Sequence, residues 1–174
     1  MQASLVLRSG PPKTGDEMRV MPLENYFLGY GKQDRRPGEY VYSVDVPRLK
    51  PDQFYAAYKV SKRFDEDISA VMAAFRFDLD GRRVTAARVA YGGMAATPKR
   101  GAAIEAALVG ADLDDPSSWE AAAQAAAADF QPLTDMRATA GYRLAVAVNL
   151  VKRALMEASG VKAPLHLGDL VAAE

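Results

Sequence analysis

Val71, Ala73, Phe75, Phe77 and Leu79 alternate with Met72, Ala74, Arg76 and Asp78, and the run meets Asp80-Gly81 before a second extended run, Arg83 to Tyr91. A period of two puts one face of a strand on a core. An Asp-Gly pair between two such runs predicts a hairpin with both turn residues at positive φ. No other segment constrains the chain as tightly. The return strand changes phase near Ala86-Ala87, which predicts a bulge.

The segments around this hairpin define the class. Tyr40, Tyr42, Val44 and Val46 alternate with Val41, Ser43 and Asp45 up to Pro47, which reads as a strand. Residues 53–60 are aromatic-rich and read as another. Residues 3–7 and 18–22 are two short strands joined by a turn-rich stretch. Two strands alone bury no core, so this pair needs a partner. Residues 26–38 show no period and read as a loop, with Pro37-Gly38 as a turn. From residue 97 the pattern becomes helical. Thr97 and Pro98 resemble a cap and first helical position, and Ile104, Ala107 and Leu108 form a stripe before Gly110. Ser117 stands three residues before Glu120, as in a capping box, ahead of the alanine-rich run 121–128. A last helix spans about 138–158, with Leu144, Val148, Val151 and Leu155 as its stripe, Arg143 off it and Gly160 closing it. Strands followed by helices give an α+β fold. We expect an antiparallel sheet of three to four strands, covered on one face by three α-helices and preceded by a short remnant strand pair.

Composition excludes several chemistries. Lys plus Arg equals Asp plus Glu at 22 each, so formal net charge is zero over 174 residues. That argues against nucleic acid or an anionic membrane face as the main partner. There is no cysteine, hence no thiolate nucleophile, disulfide or Cys-ligated cluster. The single histidine, His166, argues against His-rich metal sites and a Ser-His-Asp triad. No apolar run approaches the ~18 residues of a membrane span, and the first residues lack a secretory signal pattern. The expectation is a soluble cytoplasmic protein.

The densest polar cluster is Lys59 to Asp67. It reads either as a solvated loop between strands or as a seat beside an anionic or redox cofactor, with Lys59 donating and the acids tuning charge. Composition alone favours the solvated loop. Asp65, Glu66 and Asp67 are oxygen donors of the kind hard cations take, but three consecutive acids do not converge easily, and no Asp-x-Asp-x-Asp-Gly loop is present. No metal or catalytic residue is assigned. Gly92-Gly93 lacks the spacing of a phosphate loop and reads as a sharp strand exit. His166 reads as a tail residue, the alanine run as close helix packing and Trp119 as an anchor for its helix. From the residues alone, no reaction follows.

Motifs in series carry more. Asn25-Tyr-Phe-Leu-Gly-Tyr-Gly-Lys32, Arg36-Pro-Gly-Glu39 and Ser43-Val-Asp-Val-Pro47 come first. Tyr58-Lys-Val-Ser-Lys-Arg-Phe-Asp-Glu-Asp-Ile68, Tyr91-Gly-Gly-Met-Ala95, Thr97-Pro-Lys-Arg100 and Asp135-Met-Arg-Ala-Thr-Ala-Gly-Tyr-Arg143 follow. In this order they resemble the C-terminal domain of the FAD-binding subunit of the molybdenum hydroxylases, in particular the small subunit of bacterial xanthine dehydrogenases, over about residues 23–157. The resemblance implies a domain at 31–160 that closes over FAD, preceded at 1–30 by a remnant of the FAD-binding domain and followed at 161–174 by a tail. It also implies an electron path from molybdopterin through iron–sulfur clusters to FAD and then NAD, with those other centres elsewhere in the complex. The implied partners are the molybdenum-binding large subunit and the rest of the FAD subunit.

Carried over by position, Lys59 matches a lysine that contacts FAD, and Val41 matches an apolar strand residue lying against the flavin. Asp65 and Glu66 fall on an acidic loop near the isoalloxazine ring. A carboxylate there disfavours the anionic reduced flavin, and a cation such as Arg63 favours it. Phe64 stands where some relatives carry a second arginine. The cluster-binding cysteines and the glycine-rich flavin-phosphate loop of the family are absent. The resemblance therefore implies the back part of such a subunit, without dehydrogenase turnover alone and with weak or no FAD binding. The competing reading is a non-catalytic subunit-interaction module without flavin contact. A third is the same domain in a CO dehydrogenase or an aldehyde oxidase-like protein. The orphan edge of the first strand pair further predicts self-association.

Overall fold

The structure, a computed structural model, describes residues 2–10, 17–63 and 65–161. His166 lies outside the described residues. The main sheet has four antiparallel strands in the order β6 (Gln53–Val60), β7 (Val71–Asp80), β8 (Arg83–Gly92) and β9 (Lys99–Arg100). Ahead of it, β1 (Ser4–Ser9) lies between β2 (Met18–Pro22) and β5 (Glu39–Asp45) in a second antiparallel sheet. The helices are α1 (Ala102–Leu108), α2 (Glu120–Gln124), α3 (Ala126–Asp129) and α4 (Ala140–Ser159). The α+β class and the order of strands before helices agree with the sequence pattern.

The alternation in β7 sets the layers. Val71, Ala73, Phe75 and Phe77 are fully buried under the helices, together with Val84, Val89 and Tyr91 of β8. Val151, Ala154 and Leu155 of α4 and Ile104 and Leu108 of α1 close this core. Rings interlock within it: Tyr91 meets Phe75 edge-on at 5.8 Å and Phe130 at 4.9 Å between centroids. Such pairs each contribute about 0.5–1.5 kcal/mol beyond area burial. Ala122, Ala123 and Ala126 are fully buried, so the alanine run does serve close helix packing.

Several local expectations are corrected. The hairpin turn is Gly81-Arg82, because Asp80 pairs with Arg83. Only Gly81 of the two has positive φ, at 56°. This suits a turn with glycine at its first central position rather than one with two left-handed residues. The bulge is present, between the pairs Asp78–Ala86 and Leu79–Val84, which leaves Thr85 unpaired in the ladder. Residues 27–33 form a small hairpin, β3 (Phe27–Gly29) with β4 (Lys32–Gln33), instead of a plain loop. Lys99-Arg100 pairs with Tyr91-Ala90, so the chain is still extended where Thr97-Pro98 was expected to open a helix. The carboxylate of Asp129 instead takes the Ala103 and Ile104 N–H groups at 2.9 Å. Asp115, rather than a Ser117–Glu120 box, caps the 3-10 turn Pro116–Trp119 that leads into α2. The alanine segment is two short helices broken at Ala125. In α4, Thr139 caps the start and Gly160 (φ 79°) the end, but the buried stripe is Arg143, Ala147, Leu150, Val151, Ala154 and Leu155.

The first segment is tied in at two places. β5 pairs with β1, covering one edge of the first strand pair and leaving β2 as an edge with Val20 63% exposed. Glu24 reaches the helix-free face of the main sheet, 2.8 Å from Arg88 and 3.6 Å from Arg100. Among the described residues, no helix is long and apolar enough to cross a membrane.

Candidate functional site

The alternation that buries one face of the main sheet gives the other face its chemistry. On that helix-free side, register sets Lys59, Met72 and Gly92 in one row, Ala57, Ala74 and Ala90 in the next, and Tyr55 beside Arg76 and Arg88 in a third. The second row is all alanine and therefore low, while in the first Met72 stands 46% exposed between Lys59 and Gly92. Lys59 stands exposed at the end of the first row, and among the described residues its ammonium has no hydrogen-bond or ion-pair partner.

β6 runs from Lys59 directly into the charged loop. The mouth of that loop is closed by the Ala70 N–H donating to the Val60 carbonyl at 2.8 Å. Inside, the Asp67 carboxylate accepts the Lys62 N–H at 3.1 Å and the Arg63 N–H at 3.0 Å. The Arg63 N–H contributes most to holding the Asp67 carboxyl below its ordinary range. Asp65 accepts the Glu66 N–H at 2.8 Å. The Arg63 guanidinium donates to the Glu66 carbonyl at 2.9 Å, so the loop's arginine is committed to its own backbone. Glu66 has φ 48°, the one non-glycine residue with positive φ among the described residues. A left-handed residue with a side chain costs about 1–2 kcal/mol. Asp65 and Asp67 accept from different backbone N–H groups, and among the described residues no three acids converge as a metal site.

Of the sequence-assigned residues, Lys59, Asp65 and Glu66 fall at one end of the main sheet, and Asp65 and Glu66 are exposed. Val41 is elsewhere, on β5, paired with Leu7 and 42% exposed. The structure thus groups three of the four and leaves Val41 on the other sheet.

Beside the loop lies a cleft of about 430 Å³ lined by Ser61, Lys62, Asp135, Met136, Thr139 and Tyr142, among others. The Lys62 ammonium crosses to it and donates to the Met136 carbonyl at 2.7 Å. Beneath it sits Arg143, only 3% exposed although the sequence pattern placed it off the helix stripe. Its guanidinium donates to the carbonyls of Ala70 and of Gly93, the latter at 2.9 Å, and to Asp135 at 2.7 Å. The Arg137 N–H, ahead of Arg143, holds the Asp135 carboxyl down at about 2. Sequence reading missed Arg143 because an arginine on an apolar stripe counts against the stripe. The 143–147–150–154 spacing and the Asp135…Arg143 motif were the available signals.

A larger cavity, about 580 Å³, opens between Pro22–Phe27 and the third row of the sheet face, with Arg76, Arg88 and Arg100 on its wall. Its arginines are already partnered: Arg76 by Asp78, Arg88 by Glu24 and Arg100 by Glu105.

Comparison with known proteins agrees with this architecture. The family model described as the CO dehydrogenase flavoprotein C-terminal domain matches residues 56–158, the main sheet and its helices. A xanthine dehydrogenase of Oryza sativa subsp. japonica is 32% identical over 103 residues, 57% of this chain and 8% of the relative. A xanthine dehydrogenase/oxidase of Gallus gallus is 36% identical over 80 residues, 45% of this chain and 6% of the relative. Among solved structures, the carbon monoxide dehydrogenase of Hydrogenophaga pseudoflava lacking the Mo-pyranopterin moiety superposes with a TM-score of 0.77 and 31% identity, covering 88% of this chain and 51% of that one. Reconstituted CO dehydrogenase from Oligotropha carboxidovorans gives 0.79 at 25% identity, covering 91% and 53%. The chain thus spans under a tenth of these curated relatives and about half of the solved chains. Family model and fold meet on the same residues, and this chain belongs to the CO dehydrogenase flavoprotein C-terminal domain family.

Proposed function

We propose that this domain covers FAD in the flavin-binding part of a xanthine dehydrogenase-type molybdenum hydroxylase and helps position it for electron transfer to NAD. One observation carries the reading: Lys59 stands exposed and unpartnered among the described residues, beside an all-alanine row of the sheet face and a self-braced acidic loop. A planar ring system fits such a floor, and an ammonium at its rim supplies a donor to a polar ring edge. When bound, the flavin takes up electrons and passes them to NAD. The chain's own contribution is orientation and charge. Lys59 favours electron density near it, Asp65 and Glu66 oppose it, and Val41 supplies apolar contact.

In this reading residues 1–30 end the preceding FAD-binding domain, and 31–160 form the covering domain. The molybdenum-binding subunit and the rest of the FAD subunit are the partners. Molybdopterin and the iron–sulfur clusters sit in other parts of the complex, in the cytoplasm, and the isolated chain turns nothing over. The test is Lys59→Ala in the complete enzyme. Flavin content after desalting and the rate of NAD reduction should both fall. Unchanged values for both would remove Lys59 from the site.

A second reading is favoured by β5. Val41, Val44 and Val46 are 42–51% exposed along one sheet edge, a surface suited to another polypeptide. There the domain joins subunits, and Lys59→Ala leaves flavin content intact while Val44→Asp weakens assembly.

A further inference from the structure

We propose that Arg143 is the positioning residue of the 61–69 loop, fixing where Asp65 and Glu66 stand relative to Lys59. The inference rests on the flavin-facing reading of that loop only for its consequence at the cofactor.

The loop leaves β6 at Val60 and returns at Ala70, and both ends are held from the same point. At the return, the Ala70 carbonyl accepts from the Arg143 guanidinium. At the departure, Lys62 is fastened to the Met136 carbonyl at 2.7 Å, and neighbouring Asp135 is itself gripped by Arg143 at 2.7 Å. A third bond, 2.9 Å to the Gly93 carbonyl, references both to the end of β8. One planar guanidinium therefore joins the loop, the segment before α4 and the main sheet. A lysine ammonium is a point donor without that fork. The buried Nε has no partner, so the side chain keeps one donor unsatisfied to reach these three acceptors. Gly93 leaves the room: a Cβ there would stand 3.1 Å from Arg143 Nη1.

The Arg143 partners lie at the loop end of the sheet, opposite the Asp80–Arg83 turn of β7 and β8. Arg143 differs in this from the apolar members of the α4 stripe, which pack against β7 and the other helices. Local loss of the brace should free the loop and leave the far hairpin as it is.

Hydrogen exchange on the full chain tests this with Arg143→Lys and with Asp135→Asn. Asp135 is partly exposed (31% of its side chain), so its variant keeps the test open if the buried substitution fails to fold. Amides of Lys62, Arg63 and Ala70 should exchange about tenfold faster or more, the scale of a lost charge-assisted hydrogen bond. Leu79 and Val84, at the turn end of the same strands, should keep their protection. Unchanged loop exchange, or acceleration equal at both ends, overturns the proposal. A titration of FAD into the complete enzyme separates the two readings. A loosened loop with unchanged FAD affinity upholds the brace and removes its flavin role. Loss of FAD in Lys59→Ala beside an unmoved loop in the Arg143 and Asp135 variants upholds the flavin reading and rejects the brace.

Discussion

Gly93→Ala isolates the close approach at the centre of the site. Gly93 has φ +78°, and a Cβ there would fall 2.5 Å from the Ala70 carbonyl oxygen and 3.1 Å from Arg143 Nη1. The left-handed backbone costs an alanine about 1–2 kcal/mol. The clash adds about 1–3 kcal/mol, as for other overpacked sites, because the nearest atom is backbone and cannot swing aside. The sum, about 2–5 kcal/mol, is a large share of a typical 5–15 kcal/mol stability. For a chain of this size it lowers Tm by roughly 4–20 °C, at about 2–4 °C per kcal/mol. Gly110→Ala is the internal control. Gly110 has φ +89° but open space around its missing Cβ, so it bears the backbone cost alone. Thermal melts followed by circular dichroism should therefore rank Gly93→Ala well below Gly110→Ala, by about 2 °C or more per extra kcal/mol. Equal Tm values for the two variants would refute the claim that Gly93 is required by contact as well as by φ.

Two further outcomes follow from the polar anchors. Glu39 takes the Arg19 guanidinium at 2.8 and 3.1 Å and the Arg36 N–H at 2.7 Å, which holds its carboxyl at about 2 against an ordinary 4.5. That stability is present above 4.5 and is lost as pH falls toward 2. Glu39→Gln should lower neutral-pH stability and flatten the pH dependence in that window; an unchanged acid slope would exclude Glu39 as its source. Trp119 is buried and donates its indole N–H to the Asp112 carbonyl at 2.8 Å. Trp119→Phe should cost about 1–2 kcal/mol, read as a lower denaturant midpoint at constant slope. No shift would mean that the indole acts through volume alone.

The fold class was legible because its signals are local. Period-two burial in β7, the glycine turn after Asp80, the bulge beside Thr85 and the glycine that ends α4 each depend on a few neighbouring residues. The aromatic-rich run 53–60 marked β6 as a strand, and the structure adds the alternation that leaves Lys59 exposed. The family motifs added the expectation that the charged loop faces a cofactor, since spacing alone left it a solvated run.

The tertiary structure decided whatever depends on partners distant in sequence. The cap of α1 is Asp129, 26 residues beyond the amide of Ala103, so no local pattern near Thr97 could reveal it. The first strand pair acquires β5 as a third strand, and its register with Leu7 places Val41 on a sheet apart from Lys59. Arg143 is buried because three acceptors from three segments meet its guanidinium, and only folding brings Ala70, Gly93 and Asp135 together. A buried charge is tolerated when such partners exist and is costly when they do not. Sequence periodicity records which side chains avoid water; which distant carbonyls compensate an arginine that cannot is settled by the packing of the whole chain.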